Sequence, residues 1–266
     1  MIDTHCHYLH PDFDSDREEI LQAVWGHGVT ALLEVGYTPK LAHDALLWAR
    51  RDTRVKVVAG IHPHETGRCT AEDLDVIACL AEDPDVLAVG ETGLDFYRDR
   101  APRDRQEEVF RQMIRLSRKL RKPLVLHIRD AYSEAIRILE EEGGGEFGGV
   151  FHCFQGDAAT ARRARELGFM LGLGGTITYW SASRRKVIHD IPIEAMLLET
   201  DAPWLCPAPW RGQRNDSRYL VQVVEVIAAV TGLDDRTIVD VTTANARGTF
   251  PGLGMGAAGA ESGGRA

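Results

Sequence analysis

The chain has 266 residues, of which 44% are hydrophobic, and its formal net charge is −9. This length suits one large α/β barrel or two average domains, and the hydrophobic fraction is ample for one large core. The acidic balance argues against a protein that coats nucleic acid through a basic surface. It does not exclude an enzyme in which bound metal ions supply local positive charge.

Eight apolar runs alternate with amphipathic segments along the chain. The predicted strands are Met1–Thr4, Ala31–Val35, Val57–Ile61, Val86–Glu91, Leu124–His127, Gly149–His152, Phe169–Gly172 and Met196–Glu199. Near-continuous apolar runs are typical of parallel strands buried on both faces. Between them, apolar residues recur at helical spacing, as in the segment that opens at Pro102. The alternation predicts an α/β fold, a (β/α)8 TIM barrel, with an open doubly wound sheet as the alternative.

The chain shows no internal boundary, so residues 1–251 are predicted to form a single domain. Residues 252–266 are rich in glycine and alanine, and we expect them to be a disordered tail. The five cysteines have no paired spacing, which favours reduced thiols. With no secretory signal and no run long enough to cross a membrane, the expected location is the cytoplasm.

Histidines and carboxylates stand at the ends of several predicted strands. His5 and His7 are two residues apart, which puts both side chains on one face of a strand. Asp3 shares that face and is placed to orient one of them. Glu91 ends the fourth strand, where its two oxygens could bridge two divalent ions.

Three further candidates follow later strands. His127 and His152 end strands five and six, and Asp201 follows strand eight, which neighbours strand one in a closed barrel. Taken singly, each could be a capping or hydrogen-bonded core residue. Their recurrence at strand ends indicates a metal-dependent hydrolase barrel, because the carboxyl ends of the strands meet at one mouth.

The predicted ligands are His5, His7, Glu91, His127, His152 and Asp201. We expect one ion to be held by the pair of amino-terminal histidines with Glu91 and Asp201, and a second ion by Glu91 with His127 and His152. This nitrogen and oxygen set would accept Mg, Mn, Zn or Ni.

Substrate contacts are predicted beside these ligands. His62 and His64 end the third strand and are expected to touch substrate rather than metal. Arg129 follows His127 by two and could hold a phosphate through paired hydrogen bonds, or form an ion pair with Asp130. Rim aromatics such as Trp204 can stack bases or can pack loops onto the barrel.

These residues resemble the TatD family of metal-dependent deoxyribonucleases, within the amidohydrolase-like barrels. The similarity runs from Ile2 to about Phe250, and its motifs occur in order at Asp3–His7, Gly60–His64, Gly90–Asp95, His127–Asp130, His152–Gly156 and Glu199–Pro203. The chain departs from the family pattern at two positions, where Ser217 replaces a proline and Gly248 an arginine.

The resemblance implies a two-metal phosphodiesterase that trims DNA exonucleolytically from the 3′ end, with single-stranded DNA or 3′ ends as substrate. No membrane association and no obligate protein partner are expected. Asp201 would take a proton from the attacking water, and Glu91 and Arg129 would act with it at the phosphate. Two alternatives stay open: hydrolysis of a small ester, lactone or amide at the same site, and a metal-bound scaffold without activity.

Overall fold

The structure is a computed structural model that describes residues 1–254. Within this range one parallel sheet holds eight strands: β1 (Ile2–Cys6), β2 (Ala31–Gly36), β3 (Val55–Ala59), β4 (Val86–Asp95), β5 (Leu124–Arg129), β6 (Gly149–His152), β7 (Phe169–Leu173) and β8 (Met196–Leu198). The helices are α1 (Arg17–Gly26), α2 (Pro39–Ala49), α3 (Ala71–Leu80), α4 (Arg103–Leu120), α5 (Tyr132–Glu142), α6 (Ala158–Glu166), α7 (Ala182–His189), α8 (Leu220–Thr231) and α9 (Asp235–Thr249). The last residues, 255–266, include most of the predicted tail and lie outside the described range.

The strands pair in sequence order, and the sheet closes on itself. A parallel bridge joins Cys6 to Ala202, and the amide of Asp201 donates to the carbonyl of His5 at 2.9 Å. The predicted (β/α)8 barrel is therefore confirmed, and the open sheet is excluded. Every predicted strand end lies within two residues of the observed one except the end of β4, which continues four residues past Glu91.

The barrel interior is filled by one apolar residue or more from every strand. These residues include Ile2, Leu33, Val58, Ala88, Val125, Val150, Met170 and Leu197. Phe250 and Leu253, which follow α9, pack onto the same cluster and close that end of the barrel. Since side chains alternate along a strand, residues two positions beyond this cluster also point inward, at the opposite mouth. That relation places His127 after Val125 and His152 after Val150.

Within residues 1–254, no helix is both long and apolar enough to cross a membrane.

Candidate metal centre

Glu91 lies at the centre of the barrel mouth, and its two oxygens face different sets of histidines. Oε2 is 3.4 Å from His5 Nε2 and 4.0 Å from His7 Nε2. Oε1 is 2.9 Å from His127 Nδ1. The buried carboxylate can therefore serve two sites at once, as the sequence predicted for this position.

His5, His7 and Asp201 form the first set. The Nε2 atoms of the two histidines lie 3.2 Å apart, and Asp201 Oδ1 is 3.3 Å from His7 Nε2. Two ligands about 2.1 Å from one ion, separated by 90–109°, lie about 3.0–3.4 Å from each other. Two of the three separations match this spacing, and the third, from His5 Nε2 to Asp201 Oδ1, is 3.8 Å. The donor types and their proximity fit a divalent metal.

A second set of nitrogen donors faces Glu91 Oε1, and the structure places both His62 and His152 within 4 Å of that oxygen. His152 Nε2 lies 3.8 Å from Glu91 Oε1 and also 3.8 Å from Asp201 Oδ1, and its ring stacks on His5 with centroids 3.5 Å apart. It therefore stands between the two sets rather than beside His127. His62 takes the place near His127, with its Nε2 3.7 Å from Glu91 Oε1.

Two buried carboxylates behind the histidines were missed by the sequence analysis. Asp95 Oδ2 is 3.2 Å from His127 Nε2 and 2.8 Å from His64 Nε2. Glu199 Oε1 is 3.1 Å from His152 Nδ1 and also accepts the amide of Cys153 at 2.5 Å. A carboxylate that accepts from the far nitrogen, as Asp95 does from His127, fixes which nitrogen of that imidazole faces the metal. For Glu199, the sequence did offer an indication: it stands two residues before the predicted ligand Asp201, a spacing that puts both side chains on one face of an extended segment.

Two more buried carboxylates hold the backbone that carries the amino-terminal histidines. Glu34 accepts the amides of Tyr8 and Leu9 at 2.8 and 2.9 Å. Asp3 accepts the amide of His5 at 3.2 Å and the Thr200 hydroxyl at 2.6 Å. Asp3 therefore positions the strand end, and not a histidine ring as its spacing suggested.

The two departures from the family pattern have different structural consequences. Ser217 is fully buried, and its hydroxyl donates to Asp3 Oδ2 at 2.6 Å and contacts the Tyr8 hydroxyl at 2.8 Å. Gly248 lies in α9, where an added Cβ would meet no atom within 4 Å. The first departure thus adds hydrogen bonds beneath the site, while the second leaves the packing of Phe250 intact.

The charges of the cluster shift the pKa values of its members. Burial opposes ionisation of Asp201, but the hydrogen bond with His7 and the neighbouring histidine charges outweigh it and lower the pKa. Burial likewise disfavours protonated His127, yet bonds with Asp95 and Glu91 raise its pKa to about 9. For His152 the charge of Glu199 outweighs burial and raises the pKa to about 10. The mouth therefore holds an ionised Asp201 beside imidazoles of raised pKa at His127 and His152, while burial lowers the pKa of His5.

Arg129 lies at the rim, at the end of β5. Its guanidinium sits 4.1 Å above the ring of Tyr97, a side chain that is 57% exposed. This placement is a cation–π contact. Within residues 1–254, Arg129 forms no ion pair with Asp130, which was the alternative predicted for its side chain.

A closed parallel barrel with histidines and carboxylates gathered at its mouth defines the class of the metal-dependent hydrolase barrels. The family model described as "TatD related DNase" matches residues 2–251. The chain belongs to the TatD family.

The chain is similar along most of its length to proteins from several bacteria. The chain is 36% identical over 251 residues to the "uncharacterized metal-dependent hydrolase YabD" of Bacillus subtilis, covering 94% of this chain and 98% of that protein. It is 30% identical over 256 residues to the "3'-5' ssDNA/RNA exonuclease TatD" of Salmonella typhimurium, again covering 94% and 98%. The crystal structure of YJJV, a TatD homologue from Escherichia coli K12, superposes with a TM-score of 0.89 at 29% identity, covering 94% of this chain and 97% of that one.

Proposed function

We propose that this chain is a two-metal phosphodiesterase that removes nucleotides from the 3′ end of single-stranded DNA. The observation that carries the proposal is the placement of Glu91, whose two oxygens face separate groups of histidines. Glu91 would thus serve as a ligand on both sides, and two divalent ions held there would stabilise the attacking and leaving oxygens of an in-line displacement at phosphorus. The Salmonella typhimurium relative named as a 3′–5′ ssDNA/RNA exonuclease supports the choice of substrate.

The proposed ligands divide around Glu91. His5, His7 and Asp201 would hold one ion, and His127 the other, with His152 placed to serve either. A set rich in imidazole suits Zn, Mn or Ni better than Mg, which prefers oxygen ligands. Bound divalent ions would lower the pKa of the attacking water and offset the charge on the phosphate oxygens.

Asp201 is the proposed proton acceptor. Its side chain is 17% exposed, against 4% for Glu91 and 0% for His5, so its carboxylate meets incoming water first. The lowered pKa keeps it ionised and able to accept a proton at neutral pH. Arg129 would steady the phosphate from the rim, and His62 and His64 would contact the substrate on the Glu91 Oε1 side.

The test is digestion of a 5′-labelled single-stranded oligonucleotide by metal-stripped protein to which Mg, Mn, Zn or Ni is returned. We expect a ladder that shortens from the 3′ end, requires metal, and disappears in Asp201→Ala but not in Asp235→Ala, an exposed aspartate on α9. A 3′-terminal phosphorothioate linkage should block the ladder if digestion begins there.

Absence of cleavage by protein shown to hold two metal ions would overturn the nuclease proposal. Screening carboxylic and phosphate esters with the same preparation would then separate a small-ester hydrolase from a scaffold without activity.

A further inference from the structure

A pocket of about 190 Å³ opens beside the metal centre, between the loop after β1 and the first turn of α2. Its walls are formed by Leu9, His10, Pro11, Val35, Tyr37 and Leu41, with His7 and Glu34 at its inner side. This pocket lies outside the predicted ligand and substrate residues, apart from its contact with His7.

The size and chemistry of the pocket restrict what can enter. Pockets for whole small molecules measure about 300–1,000 Å³, so this one has room for a single ring. The lining contains no lysine or arginine, and its one ionisable acid is Glu34. A phosphate would find no permanently charged partner there, whereas a flat uncharged ring would bury its faces against aliphatic and aromatic side chains.

The pocket is adjacent to the reacting centre and is held in shape. His7 forms part of its lining, and its Nε2 is 3.3 Å from Asp201 Oδ1. Glu34 accepts the amides of Tyr8 and Leu9, which fixes the loop that forms one wall. A ring bound here therefore lies next to a phosphate at the metal centre without a prior rearrangement of the loop.

Aromatic surface continues from the pocket toward solvent. The ring of His10 lies 5.0 Å, centroid to centroid, from that of Trp204, which is 40% exposed. Tyr37 approaches His7 on the other side, with ring centroids 5.5 Å apart. Nucleic-acid bases stack on such surfaces whatever their sequence.

We propose that this pocket binds the base of the terminal nucleotide next to the scissile phosphate. The assignment rests on the proposed function, since it presupposes a nucleic-acid substrate. It makes the chain selective for ends that carry an intact base, with little preference among bases.

Equilibrium binding tests the pocket without turnover. The probes are deoxyadenosine 5′-monophosphate and 2-deoxyribose 5-phosphate, titrated calorimetrically into metal-loaded protein. The base is expected to tighten binding at least about tenfold. Leu41→Trp, which fills the pocket, should abolish this difference, while Leu47→Trp, at an exposed position of the same helix, should keep it. Leu41→Ala, which removes one wall without adding bulk, should reduce it.

Equal affinity of the two probes for the wild-type protein, or a preserved difference in a folded Leu41→Trp variant, would overturn the pocket assignment. An oligonucleotide with a 3′-terminal abasic residue separates this result from the proposed function. If the pocket alone is wrongly assigned, abasic and intact ends are digested with the same KM. If the nuclease proposal fails, neither is digested, and the binding comparison still decides whether the pocket takes a base.

Discussion

At the scale of single residues, Asp95 determines how His127 can bind a metal. Its Oδ2 lies 3.2 Å from His127 Nε2, which leaves Nδ1 to face Glu91. The same oxygen lies 2.8 Å from His64 Nε2, within hydrogen-bond distance, so one buried carboxylate orients two imidazole rings. A carboxylate in this position also makes the imidazole a stronger ligand.

Asp95→Asn should therefore weaken metal binding while the barrel stays folded. We expect the affinity for the ion beside His127 to fall about 10- to 100-fold, because the neutral amide orients His127 less strongly and lowers its basicity. Calorimetric titration of metal into stripped protein measures the change. Asp99→Asn, an exposed aspartate in the following loop, is the matched control. Unchanged affinity in Asp95→Asn would show that Asp95 does not act through His127.

Glu34 should make the stability of metal-stripped protein fall as pH rises. Burial raises its pKa from the ordinary 4.5 to about 7, so the folded state holds this proton more tightly than the unfolded state does. The loss of unfolding free energy caused by ionising Glu34 is absent below pH 4.5, grows between pH 4.5 and 7, and is complete above pH 7. It amounts to roughly 3 kcal/mol, from about 1.4 kcal/mol per pKa unit.

Urea unfolding of wild type and Glu34→Gln across this pH range measures the effect. The free energy of unfolding of wild type should decline relative to that of the variant by a few kcal/mol between pH 4.5 and 8. Parallel pH profiles for the two proteins would mean that Glu34 ionises normally in the fold.

At the scale of elements, the contact between β7 and β8 supports His152. Gly172 of β7 leaves the space that the carboxylate of Glu199 fills, and an added Cβ would collide with both of its oxygens. Glu199 cannot move freely, since Oε1 accepts the amide of Cys153. The absence of a side chain at Gly172 is thus a condition for the position of Glu199, and through Glu199 for that of His152.

Gly172→Ala should destabilise the barrel by about 1–3 kcal/mol, the usual cost of overpacking. Metal affinity should fall with it, because Glu199 is pushed away from His152. Gly248→Ala is the matched control: its Cβ meets nothing within 4 Å in α9, and alanine should stabilise that helix by up to about 1 kcal/mol. Urea midpoints of the two variants should move in opposite directions, and a shift in the same direction would contradict the packing argument.

The barrel and the inward direction of the histidines could be predicted from the sequence, because both follow from regular patterns of residue spacing. Apolar runs marked the strands, and the spacing of two set His127 beyond Val125 on the inner face. Asp95 was missed for a physical reason. The apolar run ends at Glu91, whereas β4 continues through four further residues that include a glycine and ends at Asp95, so no strand was predicted there. The place of His152 between the two sets depends on ring stacking with His5, which no one-dimensional pattern encodes.

At the scale of the whole molecule, metal removal should lower the melting temperature. An ion that binds only the folded barrel stabilises it by about 2.7 kcal/mol at a hundredfold excess over its Kd. For a domain of this size that corresponds to a loss of about 5–10 °C on chelation.

Thermal melts with and without chelator check this expectation. A variant with both His5→Ala and His7→Ala should show a smaller shift, since it lacks two donors of the first set. An equal shift in that variant would place the stabilising ion elsewhere in the protein.

The closure of the barrel also sets when the site can exist. Asp3 is held by Thr200, 197 positions later, and by Ser217, 214 positions later. During synthesis the first two histidines leave the ribosome long before the strand that brings Asp201 to them, so the centre assembles last. A nascent chain without β8 would leave β1 and β7 as open edges, free to pair with other strands. The complete site can therefore form only after β8 has been synthesised and has met β1 to close the sheet.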